Sequence, residues 1–261
     1  MLDELRLIEH SFPAQITVYP ISDVHLGAIE HAADQWDAFL RQLYTDNAYV
    51  ILAGDLLNNS LRSSVANPFD EVMRPREAKK IMVKYLEPIR DRILCVVTGN
   101  HERRTNKEAD QDLTYDICSK LDIEHLYREN IAYMTVSVGE RPDEKKPQCT
   151  YTFAVVHGAG GGIYTGAAVN RDERFGNVID GLDCLITGHV HKGFITKPAK
   201  VCIDVQNHVV SVKHYVVVSC VSWLNYGGYA AQKMLLPAHT SDPQKLVLVD
   251  KRKNKRIITT W

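Results

Sequence analysis

Between Ile16 and His191 one local pattern recurs five times: a short apolar run stops abruptly on Asp, Asn or His. ITVYPIS (16–22) delivers Asp23, YVILAG (49–54) delivers Asp55, and ILCVVTG (93–99) delivers Asn100. TFAVV delivers His157 and LDCLITG delivers His189. Each run has the length of a strand rather than a helix. Helix-patterned stretches around 33–45, 76–90 and 110–121 follow the first three runs, the last carrying Leu113, Ile117 and Leu121 at four-residue spacing. Strands alternating with helices require crossover connections and a largely parallel sheet. Parallel strands end on a common edge, where α/β folds place their sites. The five polar residues are therefore expected on one rim.

The second half is strand-rich: IAYMTVSV, TYTFAVVHG, LDCLITG, GFITK, KVCIDV, HVVSVKHYVVVSCVSWL, KLVLVD and RIITTW, dominated by β-branched residues. A parallel half followed by a more antiparallel half predicts two packed sheets with helices outside, in a single domain over 1–261. No repeat, low-complexity tract or long Pro/Ser linker divides the chain. Pro20, inside the first run, predicts an edge position or a bulge there.

The 261 residues, 45% hydrophobic and 24% charged, suffice for a sizeable core. A formal net charge of −1 advertises no general affinity for nucleic acid. Six scattered cysteines, with no CxxC pair, read as reduced core residues rather than a disulfide framework or zinc ribbon. The opening MLDELRLIEHSFP mixes acids among its apolar residues, unlike a signal peptide, and no apolar stretch reaches membrane-spanning length. The expectation is a soluble cytoplasmic protein with no membrane partner.

The spacing around the five residues carries chemistry. Asp23 is followed two places on by His25, and His189 by His191. In extended chain such pairs project to one side, so each can aim at one centre. Gly54, Gly99, Gly158 and Gly188 flank these positions and permit tight turns or close backbone approach. HGAGGG (157–162) offers backbone N–H groups to an anion but lacks the Lys-Ser/Thr ending of a phosphate loop. An Asp after a strand is commonly a turn or helix cap; five such residues in order exceed what turns require. Four imidazoles, two carboxylates and an amide, without thiolate, suit Mn²⁺, Fe, Zn²⁺, Co²⁺ or Ni²⁺ better than Ca²⁺ or Mg²⁺.

The ordered set D-x-H (23–25), G-D (54–55), G-N-H-E (99–102), H (157) and G-H-x-H (188–191) resembles the calcineurin-like metallophosphoesterase superfamily. The resemblance implies an α/β fold, a four-layer α/β/β/α sandwich, carrying two divalent metal ions, manganese foremost. It places one metal on Asp23, His25 and His191, the other on Asn100, His157 and His189, and has Asp55 bridge them through its two oxygens. It makes His101 the catalytic acid that protonates the leaving oxygen. Two metals sharing a hydroxide clamp both the attacking and leaving oxygens of an in-line displacement. Arg103 and Arg104, directly after His101, are candidates to hold phosphate oxygens. In the phosphoprotein phosphatase branch the segment reads G-D-x-x-D-R, its later Asp orienting the catalytic His. Asn58 and Asn59 stand there in this chain, which sets it apart from that branch and leaves Asn58 a candidate partner of His101.

Other segments read more plainly. SWLNYGGYAAQK (222–233), with Tyr226 and Tyr229, is expected as a loop with anchoring aromatics rather than a cleft wall. KRKNKR (251–256) is expected as the turn of a C-terminal hairpin rather than a nucleic-acid patch. RPREAKK (74–80) is expected as a helix start with Pro75 in the first turn. The functional expectation is a two-metal phosphodiesterase acting on a phosphate ester. A repair-type nuclease acting on nucleic acid, and a non-catalytic scaffold on the same fold, are the alternatives.

Overall fold

The computed structural model of the protein describes residues 5–46, 48–64, 69, 71–141, 148–162, 164–251 and 255–261. The first four residues of the N-terminal segment, and 252–254 of the basic KRKNKR run, lie outside the described residues. The strands are β1 (Ile8–Phe12), β2 (Ile16–Ile21), β3 (Tyr49–Leu52), β4 (Ile93–Val97), β5 (Tyr127–Arg128), β6 (Ile131–Val138) and β7 (Cys149–Val156). They continue as β8 (Cys184–Thr187), β9 (Phe194–Thr196), β10 (Ala199–Asp204), β11 (Val209–His214), β12 (Val216–Ser219), β13 (Lys245–Leu248) and β14 (Ile257–Thr260). The helices are α1 (Ala33–Thr45), α2 (Pro75–Leu86), α3 (Glu102–Ala109), α4 (Leu113–Lys120), α5 (Thr165–Asn177) and the short α6 (Gly228–Gln232). Pro75 opens α2, where its missing N–H costs nothing.

Two six-stranded mixed sheets, ordered β14-β13-β2-β3-β4-β5 and β1-β6-β7-β8-β12-β9, form the α/β sandwich. In the first, β2, β3, β4 and β5 run parallel; in the second, β7, β8 and β12 do. Period-two alternation in the second sheet divides its side chains between two cores. Met134, Val136, Phe153, Val155, Ile186 and Val218 join the main core with β2, β3, β4 and the helices α1, α2 and α4. Ala154, Leu185 and Val217 point the other way, into a smaller core with Ala168 of α5. The layers are therefore helix, sheet, sheet, helix.

Three local outcomes differ from the sequence pattern. Pro20 lies in an interior strand, since β2 pairs with both β3 and β13. The β13 register stops at Val18, so at Pro20 that flank is a local edge and no ladder donor is missed. KVCIDV and HVVSVKH join neither sheet; β10 and β11 form a separate antiparallel ribbon. Lys200 of this ribbon reaches back to the Ile179 carbonyl (2.6 Å), while Val201, Ile203, Val210 and Val212 face solvent. Thirdly, among the described side chains of SWLNYGGYAAQK, to which that of Tyr229 does not belong, the anchoring aromatic is Trp223, packed edge-on against Trp36 (4.9 Å) and tilted on Phe39 (5.0 Å). Tyr226 is exposed and donates to the Leu235 carbonyl.

The Trp223 backbone N–H donates to the Asp23 carbonyl (3.0 Å), so this aromatic cluster fixes the loop after β2. Trp36 is 1% exposed. Trp36→Ala is expected to destabilise the fold by about 3–5 kcal/mol through loss of buried area and a residual cavity. Urea unfolding of the variant against the parent protein measures this.

Candidate metal centre

The loops after β2, β3 and β4 of one sheet and after β7 and β8 of the other meet at a common edge. There the structure brings together Asp23, His25, Asp55, Asn100, His157, His189 and His191, with His101 beside them. Three overlapping groups make up the cluster: Asp23, His25 and His191; His25, Asp55 and His101; and Asp55, His157 and His189, the last with the Asn100 amide oxygen 2.9 Å from His157 Nε2 and 2.7 Å from His189 Nδ1. Asp55 is shared by the last two, Oδ2 being 3.2 Å from His157 Nε2 and 3.8 Å from both His25 Nε2 and His101 Nε2. In the first group Asp23 Oδ1 is 3.2 Å from His191 Nε2 and 3.7 Å from His25 Nε2. Asp23, His25 and Asp55 are buried, whereas His191 and His101 retain exposure, so the cluster has a closed floor and an open mouth.

The pairs at two-residue spacing do not converge through extended chain. Asp23 (φ 55°), His25 (φ 49°), Asp55 (φ 51°), His189 (φ 72°) and His191 (φ 56°) all occupy the left-handed region. Turning the chain this way aims consecutive loop residues at one point, at a steric cost that functional sites commonly carry. The loops hold it by running as a short ladder: Asp23 N–H donates to the Gly54 carbonyl and His25 N–H to the Asp55 carbonyl, both at 3.0 Å. Gly54 (φ 90°) and Gly99 are forced by proximity. A Cβ on Gly99 would fall onto the Asp55 nitrogen and carboxylate, and one on Gly54 onto Gly99 itself.

Each carboxylate has one oxygen fixed by a backbone donor. Asp23 Oδ2 accepts from His189 N–H (2.9 Å) and Asp55 Oδ1 from His101 N–H (2.8 Å). Asp55 Oδ2 meanwhile faces the His25 and His157 imidazoles. His157 donates Nδ1–H to the Ala53 carbonyl (2.8 Å), which leaves Nε2 facing the Asn100 and Asp55 oxygens.

These donors fit divalent cations. Asp23 Oδ1 is buried with no hydrogen-bond partner, and two imidazole Nε2 atoms, of His25 and His191, confront each other at 3.1 Å. A cation between them would satisfy the unpartnered oxygen and accept both imidazole lone pairs. The residues fit a binuclear divalent site with mixed nitrogen and oxygen ligation.

The side chains also act on one another electrostatically. Burial pushes both carboxyls upward, but His191, His25 and His157 hold Asp23 well below the usual carboxylate range. His157, His101 and His25 do so for Asp55. Burial lowers His157, yet Asp55 and Asp23 push it up to about 10. Burial dominates at His101, taking it down to about 3 against the pull of Asp55.

Glu102, the first residue of α3, was legible as part of G-N-H-E but its work was not. It is buried, and its carboxylate accepts N–H bonds from Leu57 (2.7 Å), Gly99 (3.1 Å) and Asp55 (3.2 Å). Burial and the neighbouring Asp55 push it up to about 7. Asn58 and Asn59 serve differently from a catalytic acid. His101 donates Nδ1–H to the Asn58 backbone carbonyl (2.5 Å), while the Asn58 amide donates to Ser60 and Glu71. The Asn59 amide donates to the His101 carbonyl (2.7 Å) and Thr105. Arg104 donates to His101 Nε2 (2.8 Å) and to the Asn58 carbonyl (3.2 Å); Arg103 donates to the Glu129 carbonyl (2.7 Å).

A model of the calcineurin-like phosphoesterase family matches residues 16–193, and the chain belongs to that family. It is accordingly a metal-dependent phosphoesterase by family, with phosphate esters as substrates. No curated protein matches the sequence. Among solved structures, the chain is similar to a conserved uncharacterized protein, a predicted phosphoesterase, from Streptococcus pneumoniae TIGR4. That pair shows 10% identity over 95% of this chain and 99% of the other, at a TM-score of 0.37. It is also similar to the cold-active protein-tyrosine phosphatase of a psychrophilic Shewanella species, with 12% identity over 98% and 80% of the two chains and a TM-score of 0.34. Among the described residues, no helix is long and apolar enough to cross a membrane.

Glu102→Ala leaves three buried N–H groups without an acceptor and is expected to cost about 3 kcal/mol or more, with loss of metal retention at Asp55. Glu102→Gln, which keeps one acceptor oxygen, is expected to fall between that variant and the parent. Urea unfolding and metal analysis of both variants test the ordering.

Proposed function

We propose that the protein is a phosphodiesterase that binds two divalent cations, manganese foremost, through Asp23, His25, Asp55, Asn100, His157, His189 and His191. The observation that carries the diester preference is a cavity of about 320 Å³ that opens directly off the cluster at Asn100 and His157. A monoester needs room for one leaving group, whereas a diester needs space on a second side of the phosphorus. Cations bound at the cluster supply Lewis acidity to the phosphoryl group and lower the pKa of the attacking water.

The chain's own residues do the rest. Asp55 and Asp23 are anchored by backbone N–H bonds, so they need no reorganisation as substrate binds. His101 holds its ring through Nδ1–H to the Asn58 carbonyl and presents Nε2 at the open mouth, where it protonates the leaving oxygen. Burial favours its neutral form and a bound phosphate opposes that, so protonation and substrate binding are coupled. Arg104 sits on the same nitrogen and offers its guanidinium to phosphate oxygens when Nε2 turns to the leaving group. A scaffold would have no use for an intact donor set together with a positioned His101.

A turnover panel with added Mn²⁺ tests the assignment: bis-(p-nitrophenyl) phosphate, p-nitrophenyl phosphate, a cyclic nucleotide and single-stranded DNA, each with a chelator control. Chelator-sensitive hydrolysis of the diester above the monoester is expected; preference for DNA would favour the nuclease reading, and no turnover the scaffold. Asp55→Ala and His189→Ala are each expected to abolish hydrolysis and lower metal content, and retained activity in both sinks the proposal. His101→Ala is expected to keep its metal and lose roughly 100-fold or more in turnover, most for poor leaving groups. Metal analysis beside the kinetics separates a lost acid from a lost ligand.

A further inference from the structure

The cavity beside the cluster is lined by more charge than a leaving group requires. Asn100 and His157 form its end at the metal centre. Arg103 of α3 lines it from one side, and Arg171 and Phe175 of α5, one helical turn apart, line it from the other. Both guanidinium groups are held by the protein yet incompletely satisfied. Arg103 donates from Nη2 to the Glu129 carbonyl, but its Nε is buried without a partner. Arg171 donates from Nε to Asp172 Oδ1 (2.7 Å) and from Nη1 to the Ala159 carbonyl, but its Nη2 is buried without a partner. Asp172 also lines the cavity, its second oxygen accepting from Thr187 (2.8 Å). Two guanidinium groups against one carboxylate leave the cavity net positive, with donors that want acceptors. A buried donor left unmade costs about 1–3 kcal/mol. Phe175 is 37% exposed and lines the same space.

We infer that this cavity is a second-anion subsite: the substrate carries, besides the scissile phosphate, a further phosphoryl group that Arg103 and Arg171 hold, with an aromatic base against Phe175. The class is a nucleotide phosphodiester bearing a second phosphate. Guanidinium groups suit phosphate oxygens because they donate in a planar fork, and an aromatic ring accepts any base face. This subsite rests on the phosphodiesterase reading only for the identity of the first phosphate; Arg171 and Phe175 touch none of the metal donors' bonds described above.

The test is calorimetric binding to the Mn²⁺-loaded protein of thymidine 3′,5′-bisphosphate against thymidine 5′-monophosphate. The bisphosphate is expected to bind about tenfold tighter or more, the worth of a charge-assisted contact pair. Arg171→Gln and, from the opposite wall, Arg103→Gln are each expected to shrink that ratio to about twofold. Phe175→Leu is expected to weaken both nucleotides together by about tenfold. Equal affinity of the two nucleotides for the parent protein, no binding of either, or a ratio that survives in both arginine variants overturns the subsite. Because the readout is a binding ratio, absence of turnover on every diester would overturn the hydrolase reading while leaving this ratio to stand or fall by itself.

Discussion

One buried carboxylate, that of Glu102, ties the two central strand ends into a single unit. It takes N–H bonds from Asp55 and Leu57 in the loop after β3 and from Gly99 in the loop after β4. Those loops approach so closely that no side chain fits on Gly54 or Gly99. A second acid this near Asp55 is electrostatically unfavourable, and burial makes it worse, as the upward shift of Glu102 records. Three backbone donors converging on one carboxylate offset that penalty. The consequence is geometric: the position of Asp55 is set by the backbone of one loop and the helix start of the next, not by the ligands it faces.

From that anchored carboxylate the rest of the centre follows. His101 is the residue before Glu102, so the clasp that fixes Asp55 also fixes the imidazole beside it, and the His101 N–H in turn holds Asp55 Oδ1. The left-handed residues of the other loops are tolerable in such a frame because neighbouring ladders over-determine them. Charged and polar groups are then held buried and close together, their desolvation offset only in part by pairing between Asp and His. The arrangement costs folding free energy that cation binding returns, so stability and metal retention are linked in this protein.

Much of this was legible in the sequence, for a physical reason. Strand-length apolar runs and their polar ends follow from burial and period, which a sequence displays directly, and α1, α2 and the β13–β14 hairpin fall where those patterns put them. What stayed hidden was decided by backbone geometry. The sign of φ at Asp23 or His191 leaves no mark on residue type, since Asp and His sit there instead of Gly. The partner of His101 is a carbonyl that every residue carries, so the identity of Asn58 misdirected attention to its amide. The ribbon of β10 and β11 reads as sheet because it is rich in β-branched residues; only tertiary structure shows that Val201, Ile203, Val210 and Val212 look outward while Lys200 reaches inward.

The absence of an acid behind His101 changes the chemistry of that imidazole rather than merely weakening it. A carboxylate at Nδ1 stabilises the imidazolium by full charge, whereas the Asn58 carbonyl offers only a dipole. On the other side, Arg104 places a guanidinium 2.8 Å from Nε2, which disfavours a second positive charge there. Burial and Arg104 thus press His101 toward its neutral form, while Asp55 and the Asn58 carbonyl pull the other way. The weight of burial and of Arg104 against Asp55 and the Asn58 carbonyl leaves the imidazole neutral in the chain by itself. Arg104 and His101 are thereby one coupled side-chain pair at the mouth of the centre, each setting the hydrogen-bonding state of the other.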